Sequence, residues 1–295
     1  HRQPGAQPRK LSGLCTYNHP HGLFGMSDNW LTIGKKLAKK HKVYIPDLRN
    51  HGRSPHSEAF NYQVMVDDLI EFIDGLKIRN PKSKIPNLIG HSLGGKVAMQ
   101  FAMKYPEKLQ KLVIVDIAPK YYPMQHDSIL TGLLSLKLSE LKTRSDADKQ
   151  LAPYVPEFKV RQFLLKNLYR YYKRGKTGGG FSWRFNLSVI SREIENIGEE
   201  IVLPPSPVPP FWGIKGGLGV RGGLSTLFVK GGKSQFINDK DFALIKKLFP
   251  NSQITTIENA GHWVHTDAME EFLDVINKFL KNDFDGKNNK IWIYK

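Results

Sequence analysis

The chain has 295 residues, of which 40% are hydrophobic and 24% are charged, and its formal net charge is +17. This length suits one large α/β domain with an insertion or two small domains, and no apolar run approaches the 18 residues of a membrane span. The single cysteine, Cys15, excludes both an intrachain disulfide and a zinc site built on several cysteines, and it favours a reducing compartment.

The excess of 44 Lys and Arg over 27 Asp and Glu has two interpretations. The first is nucleic-acid binding, and the second is a basic surface on an enzyme. We favour the second, because the lysines follow helical stretches such as 35–40 and are not interleaved with aromatic residues in a base-stacking pattern. We therefore expect no nucleic-acid partner, whereas an anionic substrate such as a coenzyme A ester would be attracted to this surface.

The first residues are basic and contain no acid. Residues 1–27 have no Asp or Glu, while Arg2, Arg9 and Lys10 are positively charged. This pattern is typical of the end of a mitochondrial presequence, and a truncated chain would fit it as well. We expect residues 1–20 to be disordered or the remnant of a presequence.

Strand and helix patterns alternate from residue 27 to residue 119. The predicted helices are 27–40, 61–76 and 93–104, and the predicted strands are 43–45, 85–89 and 112–115. The last of these strands is a continuous β-branched run, as expected where a strand is buried on both faces of a parallel sheet. The alternation predicts a mostly parallel, doubly wound α/β sheet.

The alternation stops between residues 120 and 203, where leucine and aromatic residues recur at helical spacing without a clear strand. We predict an inserted helical cap over about 120–203, followed by an irregular Pro- and Gly-rich linker over 204–225. Four elements then complete the domain, which spans 21–281: a strand at 226–229, a helix at 240–248, a strand at 254–257 and a helix at 268–281. Residues 282–295 are predicted to be a loose tail.

A Gly-x-Ser-x-Gly motif lies between the end of a predicted strand and the start of a predicted helix. Ser92 is its central residue, and Gly90 and Gly94 leave room for a sharp turn because they have no Cβ. The five-residue motif is weak alone, and the elements that flank it favour a nucleophile. A serine hydroxyl also needs an imidazole as base and a carboxylate that orients the imidazole.

The base is expected in a loop after the last strand of such a sheet. His262 occupies this position in the segment Asn-Ala-Gly-His-Trp. His265 is the weaker candidate, because it falls within the turn that leads to the last helix. We predict that His262 is the general base.

The sequence indicates the position of the acid less directly than that of the base. The loop 230–236, where this acid usually lies, contains no carboxylate, and Asp239 and Asp241 come late enough to be helix caps. Asp116 ends the strand that follows the nucleophile's helix, on the same edge of the sheet. We favour Asp116 as the acid. Its alternative role is to cap a helix where the chain enters the inserted helical segment.

The tetrahedral intermediate of acyl transfer needs two N–H donors. We predict that Leu93, the residue after the nucleophile, and Leu23, in an early His-Gly-Leu-Phe loop, supply them. His21 and His51 are expected to be structural hydrogen-bonding residues, and Asp47 is expected to order its own loop.

With these residues identified, the chain resembles the α/β-hydrolases. It is similar to the branch that contains bacterial short-chain acyl esterases, their mitochondrial animal relatives and yeast ethanol acetyltransferases. The segments that carry the resemblance are 21–25, 29–30, 47–52, 90–96, 115–119, 160–165 and 183–187. The resemblance implies an α/β-hydrolase fold with a helical cap, an acid at Asp116, a mitochondrial location and no cofactor or metal.

The expected activity follows from this branch. The chain resembles an alcohol O-acetyltransferase that makes ethyl acetate from acetyl-CoA and ethanol through an acetyl-serine at Ser92, with competing esterase and thioesterase hydrolysis. The first alternative is a purely hydrolytic carboxylesterase or acyl-CoA thioesterase, and the second is a pseudoenzyme or basic interaction protein. We expect a monomer whose partners are small molecules, namely acetyl-CoA or short acyl esters and a small alcohol.

Overall fold

A six-stranded parallel sheet lies at the centre of the molecule, with the strand order β1-β8-β2-β3-β6-β7. The computed structural model describes residues 23–79, 85–123, 128–172, 179–202, 223–281 and 290–294. The strands are β1 Lys42–Tyr44, β2 Asn87–His91, β3 Lys111–Val115, β4 Leu168–Tyr172, β5 Gly179–Trp183, β6 Ser225–Gly231, β7 Ser252–Ile257 and β8 Lys290–Tyr294. The predictions for residues 1–20, for 204–222 of the linker and for 282–289 of the tail lie outside the described residues.

Ten α-helices occur within these ranges. They are α1 Leu31–Leu37, α2 Tyr62–Arg79, α3 Leu93–Lys104, α4 Ser128–Ser135, α5 Arg144–Leu151, α6 Phe158–Leu165, α7 Leu187–Arg192, α8 Asp241–Leu248, α9 Val264–Asp267 and α10 Met269–Lys281. Short 3-10 helices occupy Ser27–Trp30, Pro106–Lys108 and Ile194–Ile197. None of the helices in the described part of the chain is long and apolar enough to cross a membrane.

Alternate residues of the central strands pack into two separate hydrophobic clusters. On β3, Leu112 and Ile114 belong to one cluster, while Val113 and Val115 belong to the other. Because successive side chains of a strand point to opposite faces, both faces of the sheet are buried. This arrangement confirms the predicted doubly wound α/β architecture with a mostly parallel sheet.

Three neighbouring strands end side by side at one edge of the sheet. His91 of β2 pairs in register with Val115 of β3, which pairs with Val229 of β6. The residues that follow β2 and β3, Ser92 and Asp116, are therefore held close together at the carboxyl edge, where ligands bind in sheets of this type.

The prediction of a loose tail is wrong for residues 290–294. These residues form β8, which inserts between β1 and β2 and pairs with both. Its central residues are buried, and the Trp292 ring packs 5.4 Å from Tyr44 and 5.0 Å from Phe72. Apolar burial on both faces and two hydrogen-bonded neighbours explain why this short segment is ordered.

The insertion between β3 and β6 contains helices α4 to α7, together with an antiparallel strand pair that was not predicted. Strands β4 and β5 pair so that Leu168 lies opposite Trp183. Both of these side chains are buried, whereas Tyr172 at the end of β4 is exposed. The expectation that this region has no strand is therefore wrong, because the two strands are stabilised by pairing with each other.

Candidate active site

Ser92 lies on a strained turn between β2 and α3. Its backbone angles are φ 53° and ψ −123°, a combination that residues with a Cβ rarely adopt. The turn also requires close packing of α3 on the strand, because a Cβ on Gly90 would lie 2.5 Å from the Gly94 carbonyl oxygen. A Cβ on Gly95 would likewise lie 2.5 Å from a methyl carbon of Ile117.

The structure brings the predicted serine, histidine and aspartate into one hydrogen-bonded chain. Nε2 of His262 lies 3.0 Å from Oγ of Ser92, and Nδ1 of His262 lies 2.8 Å from Oδ2 of Asp116. His265 does not occupy this position; its ring is buried and stacks on Trp30 at 4.0 Å. A serine, an imidazole and a carboxylate in this arrangement can act as nucleophile, general base and orienting acid.

Asp116 is fully buried and has a φ of 48°. Its Oδ1 accepts a hydrogen bond from the backbone N–H of Gly231 at 2.9 Å, and its Oδ2 accepts one from the Ser234 hydroxyl as well as from His262. Both added donors come from the loop that lacks a carboxylate. That loop therefore stabilises the acid of the neighbouring strand, a role that the sequence alone did not indicate for Ser234.

The two alternative carboxylates lie elsewhere. Asp239 is exposed, and Asp241 pairs with Lys120 at 2.7 Å and accepts the backbone N–H of Asn238 at 2.8 Å. Asp241 is the first residue of α8, and Lys240 is its N-cap residue, so the expectation that Asp239 or Asp241 caps this helix is wrong.

His91, the residue before Ser92, holds the loop that carries His262. Nε2 of the buried His91 lies 2.8 Å from the backbone carbonyl oxygen of His262. A carbonyl only accepts hydrogen bonds, so this nitrogen of His91 carries the proton. On its other side, the His262 ring stacks on Phe236 at 3.8 Å. His91 was not identified from the sequence as a partner of the base.

Leu23 and Leu93, the predicted sources of the two oxyanion N–H donors, line the same cavity as Ser92. Leu93 is the first residue of α3. The residue after Leu23 anchors its loop, because the Phe24 N–H donates to Nε2 of His51 at 3.3 Å and its carbonyl accepts from the Asn167 side chain at 2.7 Å.

His51 has the structural role that was expected of it. The residue is fully buried, and burial lowers its pKa to about 4, so the imidazole is neutral at pH 7. Because Nε2 accepts from Phe24, the proton is on Nδ1, which donates to the Arg49 carbonyl at 3.0 Å. His21 lies outside the described residues.

Asp47 connects its own loop to the 3-10 helix that follows the Leu23 loop. Its two carboxylate oxygens accept the backbone N–H groups of Ser27 at 2.8 Å and of Arg53 at 2.9 Å. Burial raises the pKa of Asp47 to about 6, although these hydrogen bonds oppose the shift.

Ser92 and His262 line a cavity of about 680 Å³. Residues of the insertion between β3 and β6 (the cap) and residues of the rest of the domain (the body) both line it. The apolar lining residues include Leu23, Phe24, Leu93, Ile117, Ile129, Val160, Phe163, Leu164, Ile197, Phe236 and Trp263. A cavity of this size and polarity is typical of a small-molecule site. Across the described ranges, no group of three or more His, Cys, Asp or Glu residues could hold a metal ion.

The family model for the alpha/beta hydrolase fold matches residues 20–268. The chain is 35% identical over 269 residues to the sn-1-specific diacylglycerol lipase ABHD11 of Mus musculus, covering 88% of this chain and 79% of that protein. It is 31% identical to the esterase YbfF of Escherichia coli, covering 89% and 91%. A probable alcohol acetyltransferase of Saccharomyces cerevisiae is 32% identical, with 90% and 77% covered.

The fold also matches a solved structure. A marine microorganism esterase superposes with a TM-score of 0.73 and is 36% identical, with 88% of this chain and 93% of that chain covered.

Proposed function

The chain belongs to the alpha/beta hydrolase family, and we propose that it is a serine esterase that cleaves carboxylic esters and acyl thioesters. The observation that carries the proposal is the hydrogen-bonded chain Ser92–His262–Asp116 at the wall of an apolar cavity. The similarity to an esterase and to a diacylglycerol lipase supports the same class of reaction.

The proposed reaction has two halves. Oγ of Ser92 attacks the acyl carbonyl while Nε2 of His262 takes the hydroxyl proton, and the N–H groups of Leu93 and Leu23 stabilise the oxyanion. The His262 imidazolium then gives its proton to the leaving alkoxide or thiolate, and an acyl-serine remains. Water attacks the acyl-serine with His262 as base, which releases the acid and restores the hydroxyl. These steps need no cofactor.

The size of the cavity favours acyl groups longer than acetyl. Sites for drug-sized ligands occupy about 300–1,000 Å³, and the volume of about 680 Å³ falls within that range. An acetyl group and ethanol would fill only a small part of it. We therefore propose medium-chain acyl esters as preferred substrates of the hydrolytic reaction.

Acyl transfer to an alcohol is the second candidate function. The similarity to the probable alcohol acetyltransferase of yeast favours it. In this reaction ethanol replaces water as the second nucleophile, acetyl-CoA is a substrate and the product is ethyl acetate. A mitochondrial location and a monomeric state remain proposals that accompany this candidate.

One assay separates the candidates. The purified chain and its Ser92→Ala variant are incubated with p-nitrophenyl butyrate and octanoate, and separately with acetyl-CoA with and without ethanol. Ester hydrolysis that is lost in Ser92→Ala, with free acetate unaffected by ethanol, supports the esterase. Ethyl acetate formation that depends on Ser92 supports the acetyltransferase. No turnover with any substrate would contradict both and leave an interaction protein.

A further inference from the structure

Lys96 is buried one helical turn after the proposed nucleophile. Its backbone N–H donates to the Ser92 carbonyl at 3.1 Å, and its side chain, which lines the cavity, is 1% exposed. Lysine is almost never fully buried without partners, because the amine must replace its hydrogen bonds to water. The partners of this amine are therefore informative.

Both acceptors of the Lys96 amine belong to the connections between the cap and the body. Nζ donates to the backbone carbonyl of Lys120, after β3, and to that of Glu199, at the far end of the cap. The two connections also pair with each other at this place. The Tyr122 N–H donates to Gly198 and the Ile201 N–H donates to Pro119, each at 2.8 Å.

The hydrogen bonds from the Lys96 amine to the carbonyls of Lys120 and Glu199 do not depend on the charge of the amine. Burial lowers the pKa of Lys96 to about 7, while the nearby carboxylates of Glu200 and Glu199 oppose this shift and Lys120 adds to it. A charged amine has three N–H donors and a neutral amine keeps two. Two donors suffice for the two carbonyls, so the cap connections remain bonded on either side of neutral pH.

The cap and the body contribute differently to the site. Ser92, Asp116 and His262 belong to the body, whereas Val160, Phe163 and Leu164 of α6 form part of the apolar wall on the cap side. A displacement of the cap would therefore change the space for the acyl chain more than the geometry of the triad.

We propose that Lys96 is a positioning residue that fixes the cap over Ser92 and thereby sets the length of acyl chain that the cavity accepts. The proposal rests on the proposed esterase function. Its consequence is a change in selectivity among esters that differ only in chain length.

The test compares Lys96→Met with Lys111→Met. Lys111 is a matched control, since it is also a buried lysine whose Nζ donates to a backbone carbonyl, that of Phe279 at 2.8 Å, and it does not line the cavity. We measure kcat/KM for p-nitrophenyl acetate and octanoate. In Lys96→Met, the ratio of octanoate to acetate should fall by about tenfold or more, as expected of a shifted binding wall. Lys111→Met should keep the wild-type ratio.

A second variant covers the case in which Lys96→Met does not fold. The Tyr62 hydroxyl donates to the carbonyl of Ile197, beside the same connection, so Tyr62→Phe loosens the cap without changing the side-chain volume greatly. It should lower the same ratio by a smaller factor. An unchanged ratio in a folded Lys96→Met, or in Tyr62→Phe if that is the only folded variant, would overturn the proposal. An equal fall of the ratio in Lys111→Met would also overturn it.

Hydrogen exchange tests the role of Lys96 in holding the cap separately from the esterase activity. The amides of Tyr122 and Ile201 should exchange faster in Lys96→Met than in Lys111→Met, a result that needs no activity. Wild-type protein that hydrolyses neither ester would refute the proposed function. Unchanged exchange at these two amides would refute the proposal that Lys96 fixes the cap.

Discussion

Nδ1 of His262 lies 2.8 Å from Oδ2 of Asp116, although 146 positions separate the two residues in the chain. The contact exists because only β6 separates β3 from β7, the strand that precedes His262, so that the residues after β3 and β7 reach the same edge of the parallel sheet. The Gly231 N–H and the Ser234 hydroxyl also bond this buried carboxylate. Such donors allow a carboxylate to remain charged away from water.

Asp116→Asn should lower kcat by roughly 10³–10⁴-fold, because the amide would favour the wrong tautomer of His262. The measurement is steady-state hydrolysis of p-nitrophenyl butyrate. Asp239→Asn is the control, since Asp239 is exposed and lies outside the triad. Full activity in Asp116→Asn together with a loss in Asp239→Asn would contradict the assignment of the acid.

His91 should position the base through its hydrogen bond to the His262 carbonyl. His91→Leu removes the donor to the His262 carbonyl, and a small displacement of a base costs on the order of 10²-fold in rate. We expect kcat to fall by roughly 10- to 100-fold with KM little changed. His91→Gln can place an amide N–H near the position of Nε2 and should recover much of the rate. Equal losses in the two variants would argue against this role.

The pH dependence of stability should report His51. Its pKa is about 4 in the folded protein, below the ordinary value of 6.5, so between these values the unfolded chain binds a proton that the folded protein does not. Stability from this residue is therefore present above pH 6.5 and is lost as the pH falls towards 4.

The measurement for His51 is urea unfolding of the wild type and of His51→Gln at pH 7 and pH 4.5. The variant cannot titrate in this range, so the stability advantage of the wild type should shrink by roughly 2–3 kcal/mol at the lower pH. An advantage that stays constant between the two pH values would show that His51 is not held neutral.

Trp292 should contribute strongly to stability even though it lies near the end of the sequence. Its side chain is 2% exposed and packs between Tyr44 and Phe72. Trp292→Ala should lower the free energy of unfolding by about 3–5 kcal/mol. Tyr172→Ala is the control, because Tyr172 is 78% exposed and its removal should change the free energy by less than about 0.5 kcal/mol. Similar effects of the two substitutions in urea unfolding would contradict the burial of β8.

The site residues that can be predicted are marked by sequence patterns in their immediate neighbourhood in the chain. Ser92 follows a strand and precedes a helix within a glycine motif, Asp116 ends a β-branched strand, and His262 lies in a loop after the last predicted strand. The sheet then supplies the contact, because parallel neighbouring strands bring these positions to one edge.

The parts that were not predicted depend on partners distant in the chain. Strand β8 is ordered by pairing with β1, which lies about 250 residues earlier, and with β2, which lies about 200 residues earlier. Within the cap, β4 and β5 stabilise each other, which no helical spacing reveals. Lys96 would normally be assigned to the surface from its charge, and only the two cap carbonyls explain its burial.

The role of Ser92 as nucleophile is tested most directly by identifying the residue that becomes covalently modified. The purified protein is treated with a fluorophosphonate, digested and analysed by peptide mass spectrometry, in parallel with Ser92→Ala. We expect one adduct, on Ser92, whose extent matches the loss of esterase activity, and an unlabelled, inactive variant. Stoichiometric labelling at another serine, or undiminished ester hydrolysis by Ser92→Ala, would contradict this role of Ser92.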